Sequence, residues 1–495
     1  MCKPQRILIL LLLCVNQSFS QTKIGSFDAK SGFSRGSEAA GYYLAGDGGL
    51  IVSLQIDNKI VRNKYDKAFV LQDSYEQSTQ EYSLNHRFSS PVFATDLQLG
   101  KNVYEVYVDK KHVLVIEPDF QQKKDSIVYE LDLKEQEYNQ KRLAVMPYSK
   151  GVRVLGFTNK TDKLFVYDWK GKGIVDTIEF ALPESSLSDD EVKKYSKSAK
   201  VKYKASLDDM IVSRVDSASV LASAGKNYVY YTDNKIWLVL QTPYGTGYHI
   251  LELDLEKRTM ASSNYWINDM RKNTEAKPEV VREPFALIWK NYLVIRNGNN
   301  FYLQYMFYDL TTKQLVKEYT GGYESLKKIV HSDFNQRGTW LSGGGEKKLD
   351  NENAYLRKLG SGDGFLFLSE EGADSITITT GSLKKTEGLV GSLVSMGTMF
   401  IGSALQFTIG SFQIIPYLQM YRNKLMYSHS RFSKDGFQPS SSQNVTTTLD
   451  LLLDNFDRRD LKSNSSIILV KDRQYQVAVY EPSSGKFELF TLSNE

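Results

Sequence analysis

Gly100-Lys-Asn102 opens a series of strand-like runs that decides the fold of this chain. Apolar and aromatic residues continue from it to Val108, and after a polar turn the pattern resumes at His112-Val-Leu-Val-Ile116. The series ends with Ile127-Val-Tyr-Glu-Leu-Asp-Leu133. Short apolar runs separated by Gly, Asn and Asp are typical of antiparallel β-strands joined by tight turns.

The same series occurs a second time, beginning at Gly225-Lys-Asn227. Its strand-like runs are Tyr228-Val-Tyr-Tyr231, Ile236-Trp-Leu-Val-Leu240 and His249-Ile-Leu-Glu-Leu-Asp-Leu255. The two copies are 125 residues apart at their first glycine and 122 residues apart at the shared aspartate. A nearly constant offset over three successive runs indicates an internal repeat.

Weaker copies of the strand that ends in an acidic residue occur at Leu164–Asp168, Tyr305–Asp309 and Val477–Glu481. Together the copies indicate a module of about 60 residues with three or four short strands. Such a module cannot bury both faces of its sheet alone, so it has to stack on its neighbours. The chain therefore resembles β-propeller repeat proteins in architecture.

The resemblance implies an all-β fold, with residues 21–495 as a single β-propeller domain. We predict seven blades, within a range of six to eight, because insertions reduce the number of modules that the length allows. The last strands, near 467–492, are predicted to close against N-terminal strands around 49–66.

The first twenty residues have the pattern of a signal peptide. Lys3 and Arg6 precede an apolar run from Ile7 to Val15, and Ser18-Phe-Ser20 fits the small-residue rule for cleavage. Cleavage after Ser20 would remove both cysteines of the chain, Cys2 and Cys14, so the mature protein would have no disulfide and no cysteine-ligated metal. An exported chain without disulfides favours the bacterial periplasm, with the cell surface or secretion as alternatives.

Charge and histidine spacing exclude several function classes. The chain has 62 Lys and Arg residues against 58 Asp and Glu, and loss of Lys3 and Arg6 lowers the net charge from +4 to +2. That is too close to neutral for a nucleic-acid binder. No two histidines have the spacing of metal ligands, and the five are His86, His112, His249, His331 and His429. We therefore predict no metal and no cofactor.

Insertions near 184–206 and 387–411 interrupt the repeat. In the first, Ser188 and Glu191 have the spacing of a capping box, and a basic run follows from Lys193 to Lys204. This pattern predicts a short helix that is either a solvated insertion or a basic docking finger. The polar stretch Gly343–Asn353 is predicted to be an exposed loop.

The second insertion lies within 388–421, a run of 34 residues without a charge in a chain that is 24% charged. Three interpretations remain open: a buried pair of strands, a loop that docks into an apolar partner, and a membrane span. Glycine content argues against the span, so we predict no stable transmembrane segment after cleavage. The alternation Leu405-Gln-Phe-Thr-Ile409 favours strands.

Partner-binding residues are predicted from this insertion and from one loop tryptophan bounded by glycines. They are Leu389, Leu393, Met399, Phe400, Ile401 and Trp340. The partner class that they indicate is a protein, for example one of the outer membrane.

No catalytic residue is predicted. Gly32-Phe-Ser34-Arg-Gly36 matches a nucleophile elbow, but no strand-turn-helix pattern of an α/β sheet surrounds it. The leading hypothesis is a non-enzymatic binding or scaffolding subunit of a bacterial envelope assembly. In context such a subunit is similar to a plug or accessory protein of an outer-membrane secretion system such as type IX. The alternative is a propeller that binds or hydrolyses carbohydrate, using loop aromatics and channel-facing acids.

Overall fold

The computed structural model describes most of the strand-forming chain. The described residues are 22–29, 38–44, 48–56, 58–79, 92–108, 112–133, 136, 140–157, 163–171, 173, 175–183, 210–215, 219–222, 227–242, 247–267, 284–337, 346–360, 363–370, 374–384, 424–440, 466–471, 474–481 and 483–492. Two compact units divide the chain: unit 1 comprises residues 1–77 and 458–495, and unit 2 comprises residues 78–457.

Unit 1 contains two four-stranded antiparallel sheets. The first runs in chain order through β2 (Glu38–Tyr43), β3 (Leu50–Ile56), β4 (Lys59–Tyr65) and β5 (Leu71–Ser78). The second places β1 (Thr22–Asp28) beside β31 (Lys486–Leu492), followed by β30 (Gln474–Glu481) and β29 (Ser466–Lys471). The N-terminal strand thus completes a sheet built from the C-terminal end of the described chain.

The core of unit 1 lies between these two sheets. Phe27 stacks on Phe487 with ring centroids 5.2 Å apart, and it also contacts Tyr65 at 5.0 Å. Leu50 and Val52 belong to the same buried cluster. The predicted closure against residues 49–66 is therefore a face-to-face contact, whereas the hydrogen-bonded partner of β31 is β1.

Unit 2 begins with two more four-stranded antiparallel sheets. One consists of β6 (Val92–Leu99), β7 (Asn102–Val108), β8 (His112–Asp119) and β9 (Lys124–Asp132). The other consists of β10 (Lys141–Tyr148), β11 (Gly151–Phe157), β12 (Lys163–Trp169) and β13 (Val175–Ala181). Valines and aromatics from both sheets share one buried cluster.

The next sheet has five strands and an unusual connection. Its order is β14 (Ile211–Arg214), β16 (Asn227–Tyr231), β17 (Lys235–Gln241), β18 (Gly247–Asp254) and β19 (Thr259–Trp266), with β14 parallel to β16. Between β14 and β16 the chain forms β15 (Ser219–Ala222), which pairs in a different sheet. The chain therefore leaves this sheet and returns to it.

Two further sheets complete unit 2. One consists of β20 (Phe285–Trp289), β21 (Tyr292–Gly298), β22 (Tyr302–Asp309) and β23 (Leu315–Gly322), after which a 3-10 helix spans Leu326–Lys328. The six-stranded sheet has the order β15, β26 (Asp363–Glu370), β27 (Ser375–Lys384), β28 (Lys424–Ser433), β24 (Asn335–Arg337) and β25 (Glu346–Lys348). Helix α1 (Glu352–Leu359) packs on β27 and β28.

The described residues thus form seven sheets, most of them with four antiparallel strands, and the fold is a seven-bladed β-propeller. The two strong copies of the repeat are β7–β9 and β16–β18, which occupy the second to fourth positions of their sheets. The weaker copies at Asp168 and Asp309 lie on third strands instead, so the acidic ending does not mark one fixed position. The predictions of fold class and blade number are confirmed.

One local prediction was wrong. The stretch Gly343–Asn353 was expected to be an exposed loop, but its described part contains β25 and the start of α1. The Asn351 side chain caps the helix by accepting a hydrogen bond from the Ala354 amide at 2.8 Å. Tyr355 and Leu359 then bury one face of the helix, which outweighs the polar composition of the residues before it.

Candidate ligand-binding groove

All six predicted partner-binding residues lie outside the described residues. They are Leu389, Leu393, Met399, Phe400, Ile401 and Trp340. Both predicted insertions and the predicted signal peptide also lie outside the described residues. These assignments stay predictions. Within the described ranges, no helix has the length and apolar character that crossing a membrane requires.

Two of the four described histidines are neighbours, since the His331 amide donates to the His429 carbonyl at 2.9 Å, and the other two, His112 and His249, lie on other sheets of unit 2. His249 Nδ1 is 2.6 Å from Asn264 Oδ1, and burial lowers the pKa of this histidine. His112 Nε2 lies 3.3 Å from Asp132 Oδ2. Within the described ranges, no three His, Cys, Asp or Glu residues are grouped as metal ligands would be.

An open groove in unit 2 forms a concave site among the described residues. Its volume is about 640 Å³, within the usual range of small-molecule sites. Three segments line it: the chain just after β23, the residues that precede β24, and the approach to α1. The lining residues are Tyr323, Lys327, Asp333, Phe334, Leu349, Asp350, Asn351, Glu352 and Asn353.

Buried apolar side chains position the floor of the groove. Phe334 stacks on Tyr355 of α1 with ring centroids 4.4 Å apart. The Lys327 ammonium lies 4.3 Å from the centre of the Phe334 ring and donates a hydrogen bond to the Ser332 carbonyl at 2.8 Å. The contact with Tyr355 therefore anchors the Phe334 ring, at the floor of the groove, to the hydrophobic core.

Tyr323 lines the groove and forms an exposed aromatic pair with Phe301, which lies beside it. Phe301 is 52% exposed and Tyr323 is 38% exposed, and their rings meet edge-to-face at 6.1 Å. The Tyr323 hydroxyl donates to the Asn300 carbonyl at 3.0 Å, which holds the ring in place. Large aromatics that stay in contact with water are common at binding surfaces.

Acidic and amide groups also line the groove. Glu352 Oε1 accepts a long hydrogen bond of 3.4 Å from the Lys327 amide, and its Oε2 is buried without a hydrogen-bond partner among the described residues. Asp333 pairs with Lys348 at 2.6 Å, and this contact lowers the pKa of Asp333. The groove therefore offers carboxylate acceptors beside the amide donors at the start of α1.

A pair of carboxyl groups lies elsewhere in unit 2, on adjacent strands. Asp96 of β6 is directly opposite Glu105 of β7, and the Tyr107 hydroxyl donates to Glu105 at 2.6 Å. Although some of the Asp96 surface reaches solvent, burial and the Glu105 charge raise the pKa of Asp96 to about 7. Asp96 therefore titrates in a range where a carboxyl group could exchange protons near neutral pH.

The raised pKa of Asp96 predicts a specific pH dependence of stability. Between the unfolded pKa of about 3.9 and the folded value, the native protein binds more protons than the unfolded chain. The free energy of unfolding should therefore fall as pH rises from about 4 to about 7. Asp96→Asn should remove this loss and stabilise the protein at pH 8 by at most about 4 kcal/mol.

Urea denaturation of unit 2 at pH 4, 6 and 8 measures this effect, with the exposed Asp435→Asn as control. An identical pH slope in the parent and in Asp96→Asn would contradict the prediction.

Comparison with known proteins shows a distant likeness of fold. No family model matches the chain, and no curated protein matches it. A solved structure described as the Dos1 propeller is 8% identical, with 96% of each chain covered and a TM-score of 0.33. A prolyl endopeptidase structure is 11% identical, with 70% of this chain and 48% of that chain covered and a TM-score of 0.29.

A putative 6-phosphogluconolactonase from Bacteroides uniformis ATCC 8492 is also 11% identical, with 56% of this chain and 68% of that chain covered and a TM-score of 0.26. At these identities and TM-scores the comparisons carry no argument about this chain. The assignment of a seven-bladed propeller rests on the seven sheets themselves.

Sequence reasoning missed the groove because its residues are brought together by tertiary packing. Tyr323 and Glu352 are 29 positions apart and share no motif. The Asp96–Glu105 pair, in contrast, could have been predicted from the sequence of the turn between their strands. Gly100, at φ 65°, opens a two-residue turn that pairs Leu99 with Asn102, and this register places Asp96 opposite Glu105.

Proposed function

We propose that this chain is an exported, non-enzymatic propeller that binds a protein partner in a bacterial cell envelope. The pattern of residues 1–20 supports export, with the periplasm as the compartment and an outer-membrane protein as the partner class. The observation that carries the proposal is an exposed apolar surface on the outermost strands of two sheets of unit 2. A role in a secretion system stays a prediction.

Three side chains form this surface, which we call the Trp266 patch: Trp266 at the end of β19, and Leu315 and Val316 at the start of β23. Trp266 is 47% exposed, and the two aliphatic residues are each 39% exposed. Tryptophan is enriched among residues that dominate protein–protein binding energy.

Tyr308 connects the members of the Trp266 patch. Its hydroxyl donates to the Trp266 carbonyl at 2.7 Å, and on β22 it lies opposite Leu315. Its ring also meets Tyr265 edge-to-face at 5.2 Å. The buried Tyr308 thus holds the backbone at Trp266, which lowers the cost of ordering this part of the patch on binding.

The occupant that suits this surface is an extended segment of the partner. Among the described residues β23 pairs only with β22, so its outer edge presents backbone donors and acceptors. A strand added along β23 would use these groups and cover Leu315 or Val316 with alternate side chains.

The experiment compares partner capture by the parent and by the double variant Trp266→Ser/Leu315→Ser. Protein recovered from detergent-solubilised envelope is identified by mass spectrometry, and its affinity is then measured with purified components. We expect the double variant to bind at least about thirtyfold more weakly, as for loss of a hot-spot residue. Val175→Ser, an exposed apolar residue on the outer strand β13, is the matched control and should bind as the parent does.

Equal affinity of the parent and the double variant would overturn the proposal, as would failure to recover any envelope protein with either.

A further inference from the structure

We infer that the groove between Tyr323 and the start of α1 is a binding site for a neutral oligosaccharide. This site is separate from the Trp266 patch and does not depend on the protein-binding proposal. Its volume, its exposed aromatic pair and its mixture of donors and acceptors together favour this ligand class.

The aromatic pair supplies a surface that suits a sugar ring. A pyranose presents one face made largely of C–H groups, which packs against the face of an aromatic side chain. Phe301 and Tyr323 leave much of their rings in water while their positions are fixed, Tyr323 by its hydrogen bond to the Asn300 carbonyl. Covering these rings removes apolar area from water without an ordering cost.

The polar groups of the groove suit hydroxyls rather than ions. The amides of Glu352 and Asn353 are the first two of α1 and have no acceptor within the helix. Lys327 keeps donor hydrogens beyond the one that it gives to Ser332. A hydroxyl group donates and accepts at once, so it can pair both with these donors and with nearby carboxylates.

Charge argues against both kinds of ionic ligand. Asp350 and Glu352 would repel an anion, while Lys327 and the positive end of α1 would disfavour a cation. Glu352 Oε2 is closed to solvent and lacks a hydrogen-bond partner among the described residues, so a rotation of this side chain is needed to bring the oxygen to a ligand. A ligand hydroxyl that donates to this oxygen would satisfy it.

The probes are defined gluco-, manno- and chito-oligosaccharides as neutral ligands, and oligogalacturonate as their anionic counterpart. Each is titrated into the full mature chain by isothermal calorimetry. We expect at least one neutral oligosaccharide to bind and oligogalacturonate not to bind. Tyr323→Ala should weaken the neutral ligand at least tenfold, because the stacking surface is lost.

Two further variants separate this site from the proposed protein surface. Glu352→Gln keeps the shape of the side chain but replaces one acceptor oxygen by a donor, and we expect it to weaken binding as well. Trp266→Ser should bind the oligosaccharide as the parent does, even where partner capture is lost.

The inference is overturned if no neutral oligosaccharide binds the parent. It is equally overturned if Tyr323→Ala binds unchanged while circular dichroism shows it folded, or if oligogalacturonate binds as tightly as the neutral ligands.

Discussion

Deleting residues 22–28 is expected to unfold unit 1, because β1 is the strand that joins the two ends of the described chain. It pairs with β31 from Thr22 opposite Thr491 to Asp28 opposite Lys486. The Tyr65 hydroxyl also donates to the Asp28 carbonyl at 3.0 Å. Without β1, the backbone groups of β31 would lose these partners and Phe487 would lose its stacked neighbour.

The point variant Phe27→Ala tests the contribution of β1 with a smaller change than the deletion. Phe27 is almost fully buried between Phe487 and Tyr65, so its truncation should lower the free energy of unfolding of unit 1 by about 3–5 kcal/mol. Ile24→Ala on the same strand is the matched control, since Ile24 is exposed, and should cost less than about 1 kcal/mol.

Amide hydrogen exchange of β30 and β31 reports on unit 1 directly. Unchanged protection of these strands after deletion of residues 22–28 would show that β1 does not hold the sheet together.

Phe307→Ala should lower the free energy of unfolding of unit 2 by about 3–5 kcal/mol. Phe307 is fully buried on β22. Its ring stacks on Phe437 at 4.3 Å and meets Phe432 edge-to-face at 5.3 Å, so truncation would leave a cavity where two sheets meet. Surrounding strands can close such a cavity only in part.

Urea unfolding measured by circular dichroism tests this prediction, with Phe301→Ala as the control. Phe301 lies six residues earlier, and the same chemical change at its exposed ring should shift stability by less than about 1 kcal/mol. Similar losses for the two variants would mean that the Phe307 cluster does not hold the sheets together.

The sequence predicted the features that depend on residues close together in the chain. The runs after Gly100 and Gly225 became β7–β9 and β16–β18 because alternation and tight turns act within a few residues. Trp237, which lies within a predicted strand, is buried as that pattern implies. Local patterns therefore predicted the strands, and their recurrence predicted the propeller.

The candidate groove could not be derived in the same way. Tyr323 comes from the chain just after β23, while Asp350 and Glu352 come from the approach to α1 and its first residue. Composition indicated a loop at Asp350-Asn-Glu352, but the burial of Tyr355 and Leu356 decides that a helix forms there. Burial against distant strands is a tertiary effect that neither spacing nor charge could reveal.

Strand β15 has a consequence for how the protein is made. Ser219 pairs with Ser369, which lies 150 residues later in the chain. β15 is therefore synthesised well before the strand with which it pairs. At about 5–20 residues per second that delay is roughly 8–30 s. The six-stranded sheet therefore cannot assemble in the order of translation, and a nascent chain stalled before residue 366 would carry an unpaired segment that chaperones could recognise.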